Sequence, residues 1–303
     1  MLKDYLQLHF IVLLWGFTAT IGKEVSLGSL ELVFYRTFLA ALGFGAIIVF
    51  VNRRRRAGWP PKKVVFQFLA NGILVGLHWV LFFAAAKVSK VSICLAGMAT
   101  VTLFTAFLEP LVMKSKLKWY EIWLGLAVIG GLYTIFQFEY DHALGLMIAL
   151  GSALLADLFS VFNKQFSEYK MPLKISFLEM VGACASVALI LPIFNYYTPE
   201  LPHTFIPTTA DWGYILILAL VCTVYAFYFS VKILEKLTAF NVNLTINLEP
   251  VYGIIIAFLV YGQAERMTNG FYAGTSVILL AVISYPILDR RFNPERRLDG
   301  QTP

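Results

Sequence analysis

Charged residues are scarce in this sequence. Only 14% of its 303 residues are Asp, Glu, Lys or Arg, whereas 59% are hydrophobic, and the mean hydropathy is +0.74. Too few polar side chains are present to cover the surface of a soluble domain of this length. This composition excludes an ordinary soluble protein, and lipid is the solvent that we expect around most of the chain.

Residues that commonly carry catalysis are also few. The three cysteines, Cys94, Cys184 and Cys222, lie in apolar stretches, where we expect them to pack rather than to form disulfides. The four histidines are scattered, and the sequence has no HExxH, GxSxG or P-loop motif. A membrane enzyme and ATP-driven transport by this chain are therefore disfavoured, and no cofactor or metal site is predicted.

Long apolar stretches dominate the sequence instead. A helix needs about 20 mainly apolar residues to cross roughly 30 Å of hydrocarbon. Stretches of this kind lie at residues 6–22, 30–51, 64–86, 91–113, 119–138, 143–163, 173–194, 212–234, 237–259 and 270–288. The sequence therefore predicts an all-α integral membrane protein with ten transmembrane helices.

The basic residues predict the orientation of these helices. Lysine and arginine favour cytoplasmic loops, and here they are concentrated in loops on the same side as both termini, such as 53–56 and 114–118. We predict an inner or plasma membrane protein with both termini in the cytoplasm. The net charge of +6 then serves orientation and contact with anionic lipid, and no nucleic-acid partner is expected.

The two halves of the chain resemble each other. Residues 82–125 align with residues 229–274 at a shift of about 148, and LELVFYRTF aligns with LKISFLEMV so that Arg36 lies opposite Glu179. Because five spans per half is an odd number, the second half enters the membrane from the opposite side. We predict two inverted five-helix repeats, 1–140 and 141–290, then a cytoplasmic tail, 291–303, with the substrate site near the midplane between the repeats.

These features resemble the drug/metabolite transporter superfamily, and specifically its EamA-type ten-span members. The resemblance is carried by the repeat, by WGFTATIGKE, VFYRTF and GLHWVLFFAAAKVS, and in the second half by Pro250, the segment GQAE (262–265) and Gly274. The first half departs from the pattern, with Val101 or Thr102 in place of Pro250 and Lys-Ser-Lys at 114–116. The resemblance implies an exporter or exchanger of amino acids and other small metabolites.

The ninth predicted span carries polar residues on two sides. At 100° per residue, the two sets are Asn241, Thr245 and Glu249 on one side, and Asn243, Asn247 and Pro250 nearly opposite. Either one set lines the transport path while the other bonds to neighbouring helices, or the helix is interrupted, which Pro250 favours. We predict Asn243 and Asn247 as substrate-binding residues.

Glu249 is predicted to lie near the membrane midplane, where an ionised carboxylate costs about 2.5 to 3.5 kcal/mol or more. A functional interpretation is that it meets a substrate amine or carries a proton. The structural alternative is a neutral carboxyl group that fixes its helix through hydrogen bonds.

Three further charged residues within predicted spans are assigned coupling or gating roles. Arg36 is expected to reach toward the outer surface or Glu31, with contact to a substrate carboxylate as the alternative. Glu109, near the cytoplasmic boundary, has either a gating or an interfacial role. Asp157 either extends to the cytoplasmic surface or admits protons.

Aromatic residues and one histidine complete the predicted site. His78 and Phe82 are one helical turn apart, beside Trp79, and the resemblance places this stretch next to the central cavity. Trp15 and Tyr35 are predicted to face the same cavity, with interfacial anchoring as the alternative. Pairs of glycines, Gly72 with Gly76 and Gly270 with Gly274, predict close helix contacts.

The sequence taken as a whole predicts a secondary transporter that works by alternating access at a midplane cavity. The alternative is a channel or a facilitated-diffusion protein for other metabolites or drugs. A small-molecule substrate and the bilayer are the expected partners, protons are a candidate third, and a monomer is expected to suffice.

Overall fold

The computed structural model describes residues 2–52, 58–113, 119–198, 204–233, 245–246 and 248–292. Every regular element in these ranges is helical, as the sequence predicts. The helices of the first half are α1 (Leu2–Gly16), α2 (Thr18–Glu24), α3 (Ser29–Asn52), α4 (Lys62–Val88), α5 (Val91–Met98), α6 (Val101–Met113) and α7 (Trp119–Phe138). Those of the second half are α8 (Ala143–Phe166), α9 (Pro172–Tyr197), α10 (Thr209–Leu216), a π-helical segment (Ile217–Tyr225), α11 (Ala226–Ile233), α12 (Glu249–Tyr261) and α13 (Asn269–Phe292).

Six of the helical stretches in the described ranges are long and apolar enough to cross a membrane. They are Lys3–Glu24, Ser29–Phe50, Lys62–Val88, Tyr140–Tyr169, Pro172–Tyr197 and Thr209–Ile233. Shorter apolar helices cover Val91–Thr105, Ile122–Phe138 and Asn269–Ala281. The outer surface agrees with a lipid environment, because Phe66, Leu111, Leu189 and Leu259 each expose 71% or more of their surface.

Two predicted spans are interrupted at equivalent positions of the two halves. The helix over 91–113 breaks at Ala99 and Thr100, and α6 starts at Val101. In the second half α12 starts at Glu249, which is 148 residues later and agrees with the shift seen in the sequence. The interruption expected near Pro250 therefore lies on its N-terminal side, where the proline occupies the first helical turn and needs no amide partner.

The helices pack through a large apolar core and through glycine contacts. Helix α4 packs extensively on α8 and α9, and α7 packs on α13. A side chain at Gly72 would collide with the backbone of Glu179, and one at Gly274 would approach the Gly131 carbonyl oxygen at 2.6 Å. The close helix contacts predicted at these two glycines are confirmed.

Candidate functional site

A cavity lies among the helices of both halves. Its volume is about 180 Å³, and its polar lining includes Arg36, Asp157 and Glu249. Both helix interruptions border it, through Ala99 in the first half and Pro250 in the second. The cavity therefore lies where helices of the two halves meet.

Arg36 of α3 is held inside the protein. Only 2% of its surface is exposed, its guanidinium carbon lies 3.8 Å from the centre of the Trp79 ring, and its Nε donates a 2.9 Å hydrogen bond to Thr223 Oγ1. The expectation that Arg36 extends to the outer surface or to Glu31 is wrong, because the Trp79 ring and the Thr223 hydroxyl stabilise the cation within the fold. The two terminal guanidinium nitrogens supply the donors that suit a carboxylate.

The π-helical segment, Ile217–Tyr225, supplies the partner of Arg36. Thr223 Oγ1 donates to the Leu218 carbonyl oxygen, five residues earlier, at 2.8 Å. The Cys222 carbonyl oxygen in the same segment accepts a 3.1 Å bond from Trp15 Nε1, which ties α1 to this segment. Such wide turns occur often at functional sites, and here one positions both Thr223 and the carbonyl that bonds Trp15.

Glu249 enters the cavity from the first turn of α12. Because α12 begins at Glu249, the positive end of its dipole lies beside the cavity, and the preceding residue, Leu248, provides no capping side chain. No salt bridge within 4.0 Å joins Glu249 to Arg36, although both line the cavity. The cavity therefore presents a cation and a carboxyl group that do not neutralise each other by direct contact.

Asp157 of α8 faces the cavity and not the membrane surface. It is 1% exposed, and its Oδ1 accepts a 2.6 Å hydrogen bond from Thr105 Oγ1 of α6. The interpretation that Asp157 extends to the cytoplasmic surface is wrong, because this bond between helices holds the carboxyl group inside. A second acidic group thus borders the same space.

His78 joins α4 to α8. Its Nδ1 lies 2.8 Å from Ser152 Oγ and 3.0 Å from the Ser152 carbonyl oxygen, while Ser152 Oγ donates to the His78 carbonyl oxygen at 2.9 Å. Since the serine proton goes to that carbonyl, the ring Nδ1 carries the hydrogen and donates it to Ser152. His78, Trp79 and Phe82 form one wall of the cavity.

The other predicted site residues have different positions. Trp15 lines the cavity, but Tyr35 is not among the lining residues, because the next residue on a helix is turned by about 100° and Arg36 takes the inward direction. The Tyr35 hydroxyl instead donates to the Phe205 carbonyl oxygen at 3.0 Å. Asn243 and Asn247 lie outside the described residues, and Glu109 belongs to α6 but its side chain is outside the description.

At one end of the helix bundle lies an ionic contact, between a buried glutamate and a partly exposed lysine, that we call the clasp. It consists of Glu265, whose carboxylate accepts hydrogen bonds from the backbone amides of Val91 and Ser92, both at 3.0 Å, and Lys23, whose Nζ lies 3.3 Å from Glu265 Oε1. The carboxylate thereby caps the N-terminus of α5. The clasp joins the end of α2, the start of α5 and the segment after α12, so it links both halves.

Sequence reasoning missed several of these groups. Thr223, Thr105 and Ser152 are ordinary hydroxyl residues in apolar stretches, and no local pattern separates them from others. Glu265 carried a signal, since GQAE belongs to the EamA resemblance, but its contact with α5 depends on residues more than 170 positions away. Among the described residues, no group of three or more His, Cys, Asp or Glu side chains is arranged to hold a metal ion.

Comparison with known proteins bears on both halves. Residues 4–137 and 143–285 match the model of the EamA-like transporter family. A protein solved by crystallography has a similar fold over 96% of this chain and 99% of that chain, with a TM-score of 0.64 and 15% sequence identity, a likeness that concerns the fold alone. No curated protein matches the chain.

Proposed function

Because the chain belongs to the EamA-like transporter family and is a multi-pass membrane protein, we propose that it is a secondary transporter of small zwitterionic metabolites, most simply amino acids. The observation that carries this proposal is the placement of Arg36 and Glu249 in one cavity without a salt bridge between them. A zwitterion brings one group for each of them.

The chemistry of the cavity suits such a substrate. The terminal nitrogens of Arg36 bind the substrate carboxylate, and Glu249, with Asp157 nearby, binds the ammonium group. Trp79, Phe82 and Trp15 supply apolar surface for a side chain. One buried water needs about 10–15 Å³, so the cavity has space for on the order of a dozen groups of that size. This number is similar to the number of non-hydrogen atoms in an amino acid.

The transport mechanism that we propose is alternating access. The clasp closes one end of the bundle, and Gly145 at the start of α8 lies at that same end, against Ser89. The cavity lining reaches Asn163 and Lys164, close to the other end of α8. Substrate therefore enters from that far end in this conformation, and rocking of two inverted five-helix repeats opens the clasp end in turn.

The basic loops assign the far end to the cytoplasm, with both termini on that side of an inner or plasma membrane and ten spans in all. The direction of transport is then export or exchange, and a single chain contains the complete cavity. Asn243 and Asn247 remain part of the proposed substrate site, and Glu249 is the proposed proton-coupling group.

Efflux from proteoliposomes tests this proposal. Vesicles with the purified protein are loaded with a labelled amino-acid mixture, and efflux is followed for the wild type and for Arg36→Gln, with the exposed Arg291→Gln as control. We expect saturable efflux, accelerated by unlabelled amino acid outside, that Arg36→Gln abolishes and Arg291→Gln retains. Flux that does not saturate would support a channel, and equal flux through Arg36→Gln would contradict the assigned site.

A further inference from the structure

A second acidic site lies outside the substrate cavity, where α4 of the first half crosses α9 of the second. Glu179 of α9 is 0% exposed, and its Oε1 accepts a 2.6 Å hydrogen bond from Asn71 Nδ2 of α4. Its other oxygen, Oε2, is buried without a hydrogen-bond partner, and no lysine or arginine in the described ranges forms a salt bridge with it. An ionised carboxylate in this position would be an uncompensated buried charge.

The hydrogen-bond count around Asn71 leads to the same conclusion. Its amide nitrogen has two hydrogens but three acceptors, namely Glu179 Oε1 at 2.6 Å and, at 3.3 Å each, Asn163 Oδ1 and the Phe159 carbonyl oxygen. Two further acceptor oxygens of this region, Asn71 Oδ1 and Glu179 Oε2, are buried without a partner. The Asn71 amide therefore offers fewer hydrogens than the oxygens around it can accept, and a proton on the carboxyl group would supply one more.

Among the described residues, no charged group on the helices around Glu179 forms a hydrogen bond or a salt bridge with its carboxyl group. Asp157 on α8 bonds Thr105, and Lys164 near the end of α8 lines the cavity. On α9 itself, Lys174 donates to the Gly58 carbonyl oxygen and the Cys184 thiol interacts with Thr37 of α3. His78 on α4 bonds Ser152, and Lys87 at the end of α4 donates to the Val25 carbonyl oxygen. The remaining charged groups are Glu31 and Arg36 on α3, Lys62 and Lys63 at the start of α4, and Lys232 on α11 above the rings of Tyr228 and Phe229. The polar group that contacts Glu179 is the Asn71 amide, and the Asn163 side chain bonds this amide in turn.

We propose that Glu179 is a proton-binding site at the interface of the two repeats, occupied in this conformation and connected to the cavity through Asn71 and Asn163. The connection is short, because Asn163 both lines the cavity and lies within hydrogen-bond distance of Asn71. On release, the proton passes to water that enters from the cavity side, and Glu179 becomes a carboxylate.

The position of the site links its proton to helix packing. Glu179 lies at the tightest part of the crossing, where a side chain at Gly72 would collide with the Glu179 backbone and one at Gly182 would collide with the Leu69 backbone. Loss of the proton places an unpaired charge between two closely packed helices. The proton therefore stabilises the contact between α4 and α9, and its loss favours their separation.

Infrared spectroscopy of the purified full-length protein tests occupancy without any substrate, so its outcome is independent of the proposed transport function. The wild type is compared with Glu179→Gln near neutral pH in H2O and D2O, with Glu139→Gln as the control for a carboxylate that caps α13 through Thr268. We expect Glu179→Gln to remove a protonated-carboxyl C=O band that shifts in D2O, and Glu139→Gln to leave that band intact. If Glu179→Gln instead removes the band of an ionised carboxylate, whether or not that band changes when Na+ is added, the proposal is overturned. An unchanged spectrum would overturn it as well.

Thermal unfolding supplies a second measurement. Glutamine reproduces the shape and neutrality of the protonated side chain, so wild type and Glu179→Gln should melt together at low pH. As the pH rises, the wild type should lose stability relative to the variant by a few degrees, because ionisation destabilises the crossing. Parallel melting curves across pH, or failure of Glu179→Gln to fold, would contradict a neutral carboxyl group at this position.

Discussion

Thr100 and Leu248 make the same hydrogen bond in the two halves of the chain. The Thr100 amide donates to the Gly97 carbonyl oxygen at 3.1 Å, and the Leu248 amide donates to the Thr245 carbonyl oxygen at 3.0 Å. Each bond spans three residues instead of the four of an α-helix, and each precedes the start of a new helix. Both new helices, α6 and α12, begin with a residue that lines the cavity, so the positive ends of their dipoles lie beside it.

Replacement of Arg36 by lysine should weaken substrate binding. Lysine retains the charge but loses the planar pair of donors and the stacking on Trp79, and hydrogen bonds to charged groups contribute about 1.5–3 kcal/mol. We expect the KM for efflux from proteoliposomes to rise about ten- to hundredfold. Arg291→Lys, an exposed substitution in α13, should leave the KM unchanged. An unchanged KM in Arg36→Lys would contradict a bidentate contact between Arg36 and the substrate carboxylate.

Replacement of Glu249 by glutamine should remove the response of transport to a pH gradient. Glutamine keeps the size and hydrogen-bonding capacity of the side chain but cannot take up or release a proton. We expect efflux from preloaded proteoliposomes to become equal with and without the gradient, whereas Glu139→Gln keeps the wild-type response. Normal gradient-driven efflux in Glu249→Gln would assign a structural role to this carboxyl group.

Replacement of Glu265 by glutamine should open the clasp. The variant loses the ion pair with Lys23 and weakens the capping of α5, with an expected cost of about 1–3 kcal/mol to the closed conformation. A cysteine introduced at Thr18, which lines the cavity, reports opening through its labelling by a membrane-impermeant thiol reagent added on the clasp side. Labelling should accelerate at least several-fold relative to Arg266→Gln, an exposed change in the same segment, and equal rates would show that the clasp does not control access.

Replacement of Ser152 by alanine should destabilise the fold. Ser152 Oγ donates to the His78 carbonyl oxygen and lies within hydrogen-bond distance of its ring, and loss of such buried partners costs about 1–3 kcal/mol. We expect the apparent Tm in detergent to fall by several degrees. Thr134→Ala, which removes only an exposed bond within α7, provides the control, and equal Tm values for the two variants would argue against a role of Ser152 in joining α4 to α8.

The helices were predictable from sequence because the length and apolarity of a stretch decide whether it suits a membrane. The ranges 30–51, 64–86 and 173–194 each lie within one helix. The repeat was also visible in the sequence, because each of the aligned segments is continuous along the chain. The breaks were harder to locate, because no proline marks Thr100 and the interruption in the second half precedes Pro250.

The environment of the charged residues could not be predicted. Arg36 is stabilised by Trp79 and by Thr223, which lies 187 residues later, and Asp157 is held by Thr105 of another helix. A depth argument based on helix rise treats each helix alone and therefore directs such side chains to the nearest surface. Glu249, which lines the cavity, could be singled out from sequence because the energetic penalty of a carboxyl group at mid-helix depends on its own position; its role in transport stays a prediction.

The π-helical segment gives the chain a place where one residue can be lost without turning the helix that follows. A wide turn contains a residue more than an α-helical turn does, so deletion of one residue within Ile217–Tyr225 is expected to restore regular winding. Phe227 and Ser230 would then still face the cavity, whereas the same deletion in a regular α-helix would turn all later residues by about 100°. The Thr223 hydroxyl would lose its bond to the Leu218 carbonyl oxygen, five residues earlier, and with it the position from which it accepts the hydrogen bond of Arg36. The extra residue of the wide turn therefore serves the anchoring of Arg36 and not the register of the helix.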